Sequence, residues 1–344
     1  MATRDRMRTD RIIIFMSGGM DSTTIAALAT EIVRQESLNI TLTAITNVFD
    51  RVHPDSERYY ASLVAEKLGL HHIINPCDDH QRLAGVPLSP TDRSPLEPGS
   101  YGRVALTGCC ADNLLKLPKL TTMVGILRQQ GIKGIGELIN LRYHYKLKLP
   151  LGSGLVAFTK GNTYNQPAVP YPEWLNPDFE QRLGLKERYW EYYNWEPDPV
   201  HSRHPAAHKW MVFPDWTANA EYNPNGKIAQ PERVDPYADL RFINFILSLP
   251  PLPWLYKKYI QRRALVGYLP TEVLQRKKTP LGKLTDSLLA LPGVNWVDQW
   301  EPVPIVNDYI LRNRVPKLVG TDCLYKGLNL RPLALNNLLK ESLG

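Results

Sequence analysis

One segment, Ile12-Ile13-Ile14-Phe15-Met16-Ser17-Gly18-Gly19-Met20-Asp21-Ser22, constrains this chain more than any other. The apolar run Ile12 to Met16 reads as a short buried strand, and the small and apolar residues from Ser22 to Arg34 read as a helix. Gly18 and Gly19 let the intervening backbone turn tightly, so successive N–H groups converge on one point. The helix aims its positive end at the same point, which makes the loop a cradle for pyrophosphate. Ser17 and Ser22 add hydroxyl donors. Asp21 would be repelled by a bare phosphate; it fits if it holds Mg²⁺, which neutralises both partners. The loop is not a Walker loop, because no lysine follows the glycines.

The rest of the first third alternates strand and helix. Ile40 to Phe49 reads as a second strand, and Ser56 to Leu68 as a second helix opening on a capping serine and a first-turn glutamate. His71 to Asn75 reads as a third strand. Arg103 to Gly108 reads as another, ending in Gly108-Cys109-Cys110-Ala111-Asp112. This rhythm predicts an α/β fold, a doubly wound parallel sheet covered by helices. Ligands of such sheets bind at the carboxyl ends of the strands, where Ser17–Ser22 and Gly108–Asp112 both fall.

The expected organisation is an α/β core begun by residues 1–113, a helical and loop-rich insertion over 114–230, and a helical part over 231–344 that completes the domain. The insertion is rich in Pro, Trp, Tyr, Asn and His from residue 163 onward; its aromatics read as packing under long loops, with the lining of a substrate pocket as the alternative. Residues 237–290 return to a helical pattern. Leu240, Phe242, Ile243, Phe245, Ile246 and Leu249 form an apolar face, and Pro250 and Pro251 stop that helix.

A hydrophobic share of 43% and a charged share of 22% are ordinary for a soluble domain, and the apolar runs are shorter than a membrane span. The polar, basic start carries no apolar signal core, so the expected location is cytoplasmic with no membrane partner. None of the four cysteines forms a C-x-x-C pair, so neither a zinc nor a redox motif is indicated. A net charge of +7, scattered rather than clustered, suits an anionic ligand such as ATP; it permits RNA without selecting it.

Motifs further along narrow the reading. The S-G-G-x-D-S loop resembles the pyrophosphate loop of the ATP pyrophosphatase superfamily. Pro236-Tyr237-Ala238-Asp239-Leu240-Arg241, followed by Phe245-Ile246-Leu247-Ser248-Leu249-Pro250-Pro251, resembles the P-[FLY]-x-D-x-R…F-x-L-x-L-P-P stretch of asparagine synthases. The run from Tyr259 through Arg262, Ala264, Gly267 and Leu269-Pro270 is similar to that family's L-R-x-A-x-x-G-x-L-P. Arg276-Lys277-Lys278-Thr279-Pro280-Leu281 resembles its R-x-K-x-[GP]-[FL] loop, and Asp55-Ser56-Glu57, Tyr60-Ala61 and Leu68-Gly69-Leu70-His71-His72 match its D-E-x-x-Y-A…L-G-x-x-H-H region. The motifs occur in family order. The same scaffold serves β-lactam synthetases and lasso-peptide cyclases.

The resemblance implies ATP and Mg²⁺ as cofactors and residue roles position by position. Ser17, Gly18, Gly19, Asp21 and Ser22 would bind pyrophosphate, Asp21 and Asp112 would share the Mg²⁺, and Phe15, a residue of the second strand at Asn47 or Val48, and Gly108 would contact the nucleotide. Lys278 would approach the α-phosphate. Glu232, four residues before Pro236, is the candidate acid/base or orienting carboxylate. Glu57, Asp239 and Arg241 would hold structure.

The implied activity is adenylation of a carboxylate, from aspartate or a peptide side chain, followed by attack of ammonia or a substrate amine. Two departures shape this expectation. The family's acidic residue and middle glycine at the strand end are here Cys109 and Cys110, so the acceptor chemistry is expected to differ from asparagine formation, with Cys109 a further candidate as nucleophile. The synthetase motifs also begin at once after Met1-Ala2, with no glutaminase domain ahead of them. The expectation is free ammonia, a separate glutaminase or amine-supplying subunit, or an amine on the substrate. The alternatives are a macrolactam-forming peptide cyclase, a tRNA-modifying ATP pyrophosphatase, and a catalytically degenerate partner subunit. The missing C-x-x-C and the 236–282 motifs speak against the tRNA reading and hence against a nucleic-acid partner.

Overall fold

A computed structural model describes residues 1–54, 56–78, 98–115, 170–194, 231–277 and 284–343, with a few short stretches between 82 and 143. Strand β1 (Arg11–Phe15) is followed by helix α1 (Met20–Gln35), β2 (Thr41–Val48), α2 (Glu57–Leu68) and β3 (His71–Pro76). Then come β4 (Val104–Leu106), α3 (Pro177–Leu183), α4 (Leu185–Asn194) and β5 (Glu232–Val234). The helices α5 (Leu240–Ser248), α6 (Tyr259–Ala264), α7 (Thr271–Gln275), α8 (Leu284–Leu289) and α9 (Arg331–Leu343) follow, with short helical turns between them, and a separate two-stranded antiparallel ribbon, Arg82–Leu83 with Val86–Pro87, lies between β3 and β4 in the chain, apart from the five strands numbered here.

The five strands form one sheet in the order β3-β2-β1-β4-β5, and every pairing is parallel. β1 sits at its centre, and Ile12, Ile13 and Ile14 are all 0% exposed, as a strand covered on both faces requires. The pleat sends Ile12 and Ile14 to one face, where they meet Ile25, Ala26 and Ala29 of α1 and Ala61, Val64 and Ala65 of α2. Ile13 goes to the other, against Ile45, Ala105 and Ile73. The chain moves outward from β1 through β2 to β3, then returns to place β4 on the far side of β1. The strand order therefore reverses between β1 and β4, and a crevice opens there at their carboxyl ends. This is the expected α/β, doubly wound parallel architecture.

Helix α1 starts at Met20, two residues before the expected Ser22, so Asp21 and Ser22 belong to its first turn. The 237–290 region breaks into short helices rather than a long one. In α5 the buried stripe is Ile243, Ile246 and Leu247, whereas Leu240 is 74% and Phe245 50% exposed. Leu240 lies at the helix end beyond the core, and Phe245 lies on the side opposite that stripe. Leu249 ends the helix just before the prolines, as expected.

A second apolar cluster lies apart from the sheet core. Trp174 packs there with Leu288, Leu289, Val297, Trp300, Ile310 and Leu333, and its neighbour Leu175 forms a bridge with Ile310. Asp298 fixes a turn of this cluster by accepting from the amides of Leu318 (2.9 Å) and Val319 (3.0 Å). Among the described residues, no helix is long and apolar enough to cross a membrane.

Candidate active site

The crevice between β1 and β4 is floored by the Ser17–Ser22 loop. Gly18 takes φ +65°, and a Cβ there would lie 2.8 Å from Ala61 N and Tyr60 Cβ, so only glycine fits between the loop and α2. The loop closes on itself: Ser17 N–H donates to the Ser22 hydroxyl (3.0 Å), and the Thr23 hydroxyl donates to Gly19 O (2.8 Å). Gly19 caps α1 without any side-chain hydrogen bond. The first-turn amides, which have no acceptor within the helix, thus stand at the positive end of a 16-residue helix, an arrangement that could receive an anion.

The loop is strapped from the C-terminal half of the chain. Arg276 donates to Ser17 O (3.2 Å) and to Glu57 (2.7 Å), and its guanidinium stacks 4.4 Å from the Tyr60 ring centroid. Both charged side chains are close to fully covered, at 7% and 12% exposure. Arg262 donates to Arg276 O (3.0 Å), to Leu274 O and to Lys257 O (2.8 Å), which fixes the strap to the turn that carries Lys258. The Tyr237 hydroxyl donates to Asp21 O (3.0 Å) and accepts from Gln261 (2.7 Å), which anchors the start of α1 to α6.

Two carboxylates face the crevice. Lys258 Nζ bonds to Asp21 Oδ2 and to Asp112 Oδ1 (2.7 Å), bringing together the two acids expected to share a metal. Burial pushes the Asp21 carboxyl up from its usual value, against the pull of Lys258. Its Oδ1 is buried with no hydrogen-bond partner among the described residues. Gly108 permits this meeting: a Cβ there would stand 3.1 Å from the backbone of Asp21 and Ser22. No group of three or more His, Cys, Asp or Glu side chains among the described residues is placed to hold a metal alone. A paired carboxylate with one unsatisfied oxygen suits Mg²⁺, which is held by one or two carboxylates together with ligand oxygens.

The remaining expectations fare unevenly. Phe15 ends β1 half-buried, with Arg233 over its ring at 5.3 Å. Val48 is fully buried and its carbonyl accepts from Cys77 N–H (2.9 Å); the exposed residue at that strand end is Asn47, so Val48 supplies packing rather than an open contact. Glu232 requires a larger correction. It stands at the amino end of β5, level with Val104, and its carboxylate pairs with Arg8 in the open (2.6 Å). The crevice lies at the other end of the sheet, so Glu232 is not placed to act there.

The acid that reaches this strand end is Asp235. It accepts from Cys110 N–H (2.8 Å) and Tyr237 N–H (2.8 Å), and burial pushes its carboxyl up. Cys109 is exposed beside it, while Cys110 packs against the core. Lys278 lies outside the described residues. Glu57, Asp239 and Arg241 do hold structure: Glu57 seats Arg276, and Asp239 caps α5 through Arg241 N–H (2.9 Å) while pairing with Arg6 and Arg241.

Lys258 and Asp235 were not singled out by sequence reasoning. Lys258 follows Lys257 in a turn where both take left-handed φ, +50° and +58°, a conformation that no glycine or asparagine announces. Asp235 precedes Pro236 and is signalled only by that neighbour. Arg276 heads the R-x-K stretch, and its place in that motif is the signal that could have found it.

Fold and site together define an α/β protein with a glycine-bearing loop at a helix start and a carboxylate pair at the switch point of a parallel sheet. A model of the asparagine synthase family matches residues 1–87 and 232–300, which include the Ser17–Ser22 loop, Asp235, Lys258 and Arg276 of this crevice but not β4, Gly108 or Asp112. The match supports a synthetase domain of the asparagine synthase family in these two parts of the chain and, at the level of that family, ATP-dependent amide-bond formation by a ligase-type enzyme. No curated protein matches the chain.

Proposed function

We propose that this protein activates a substrate carboxylate as its acyl adenylate, with release of pyrophosphate, and passes the acyl group to ammonia or a substrate amine. The observation that carries this reading is the convergence, at the β1–β4 switch point, of the open first-turn amides of α1 with the Asp21–Asp112 pair.

A carboxylate is a poor electrophile, and adenylation supplies a good leaving group. In that step negative charge grows on the departing pyrophosphate. The loop amides and the start of α1 stabilise it without having to reorganise, because Arg276 and the Ser17–Ser22 bonds already hold the loop. Asp21 and Asp112 would hold Mg²⁺, which supplies charge neutralisation on the phosphate oxygens. Lys258 is the ammonium beside these acids, and Lys278 is the further lysine that the family motif assigns to the α-phosphate. Attack by the amine then needs a proton acceptor, a role that Glu232 cannot fill from the amino end of β5.

The test is ATP–pyrophosphate exchange with Mg²⁺ against aspartate, other amino acids and peptide carboxylates. Exchange dependent on one carboxylate, and lost in Asp21→Asn and Lys278→Ala, is the expected result. ATP binding without exchange across the panel, or full exchange in either variant, would overturn the reading.

A further inference from the structure

We propose that Lys258 is the built-in counter-ion of the unloaded site, and that it gives up Asp21 and Asp112 to a divalent cation when an anionic triphosphate offers it a new partner. This rests on the adenylation reading for the identity of the anion, while the exchange of cations rests on geometry alone. The Lys258 ammonium takes one oxygen from each carboxylate. A divalent cation and the ammonium would compete for the same carboxylate oxygens in this partly buried crevice. The two therefore alternate.

The tether of Lys258 is built for a second position. Lys257 and Lys258 both lie in the left-handed region, a pairing unfavourable for side chains with a Cβ, so the ion pair holds a turn that relaxes when it lets go. The turn remains anchored, because Arg262 donates to Lys257 O. The same guanidinium reaches Arg276 O, and Arg276 holds Ser17 O of the anion loop. An anion seated on the loop and a displaced Lys258 thus share one clamp. In this arrangement metal enters together with the nucleotide rather than ahead of it, and Lys258 passes from carboxylates to phosphates.

The experiment is Mn²⁺ binding to the full chain, followed by the electron paramagnetic resonance of free Mn²⁺, without any carboxylate substrate. In the absence of nucleotide, Lys258→Met should bind Mn²⁺ about tenfold or more tightly than the native protein, and Asp112→Asn should erase that gain. A non-hydrolysable ATP analogue should strengthen Mn²⁺ binding to the native protein more than to Lys258→Met. Equal Mn²⁺ affinity of the two proteins without nucleotide overturns the proposal. If Lys258→Met does not fold, acetylation of Lys258 in the native protein decides, read by mass spectrometry. Saturating Mn²⁺ should raise its reactivity, and an unchanged reactivity overturns the proposal. Because no turnover is read, a failure of pyrophosphate exchange and a failure of cation exchange are distinguishable.

Discussion

Two ionic clusters of this molecule look alike in composition and differ in every property that matters. Around Asp239, one carboxylate serves two guanidiniums, Arg6 (2.8 Å) and Arg241 (2.8 Å), and also caps α5, while Arg241 pairs with Asp5 as well (2.6 Å). Around Lys258, two carboxylates share one ammonium, and Asp21 Oδ1 is left without a partner among the described residues. The guanidinium of Arg241, helped by Arg6, holds the Asp239 carboxyl well below its usual value, whereas burial holds Asp21 above it. The first cluster is saturated and stabilises the fold. The second keeps unspent acceptor capacity in a place that disfavours its own charge, the condition of a site awaiting a ligand.

The sharpest way to break this contrast is to neutralise each aspartate. Asp21→Asn should reduce pyrophosphate exchange by about 10²-fold or more, because under the proposed function it removes the more buried of the two Mg²⁺ carboxylates, while thermal stability holds or rises as a disfavoured charge is removed. Asp239→Ala should do the reverse. Loss of the cap and of the charged hydrogen bonds should cost ~2 kcal/mol in urea unfolding, with exchange per folded molecule unchanged. If Asp239→Ala stops exchange while leaving stability intact, the two clusters have been assigned the wrong way round.

Gly108→Ala probes how the open cluster is assembled. Its methyl group would press on the Asp21 backbone at 3.1 Å. An overpacking cost of ~1–3 kcal/mol and weakened Mn²⁺ binding should appear together.

pH separates the clusters by sign. Folding favours ionised Asp239, so its contribution is fully present above the ordinary value of 3.8 and is lost as pH falls through its lower folded value. Asp21, shifted upward, takes up its proton above 3.8 in the folded state, and acidification there relieves a buried charge rather than removing a bond. In urea titrations below pH 3.8, Asp239→Asn should therefore lose less stability than the native protein. Acid inactivation of exchange should begin above 3.8.

The smallest effect belongs to Glu232→Gln. Its partner Arg8 and its own side chain are more than half exposed, so ~0–1 kcal/mol and unchanged exchange are expected. A strong loss of exchange would return Glu232 to the reaction.

How far the sequence foretold these clusters depends on the range of the forces involved. β1, its glycine loop and α1 were legible because hydrophobic pattern and turn chemistry act locally, and the family motifs carried Asp21 and Asp112. The saturated cluster was legible too, since Asp239 and Arg241 lie two residues apart within one motif. The role of Lys258 was not, because it comes from a left-handed turn 237 residues from its partner Asp21. The misplacement of Glu232 has a related cause. A motif fixes spacing along a strand but not which end of the strand meets the crevice, and β5 enters the sheet with Glu232 level with Val104 at the amino end of β4. Between Asn47 and Val48 the pleat decides what the motif left open, because one position exchanges a buried side chain for an exposed one.

The late arrival of β5 bears on how the chain is made. β4 is complete at Leu106, but the strand that covers its outer edge begins only at Glu232. At roughly 5–20 residues per second, a ribosome leaves that edge bare for on the order of ten seconds. During that interval the nascent chain presents unpaired strand backbone to any neighbour, including another copy emerging from the same polysome. Lys258 and Arg276 follow later still, so the growing polypeptide holds the Ser17–Ser22 loop without its strap until those residues have been made.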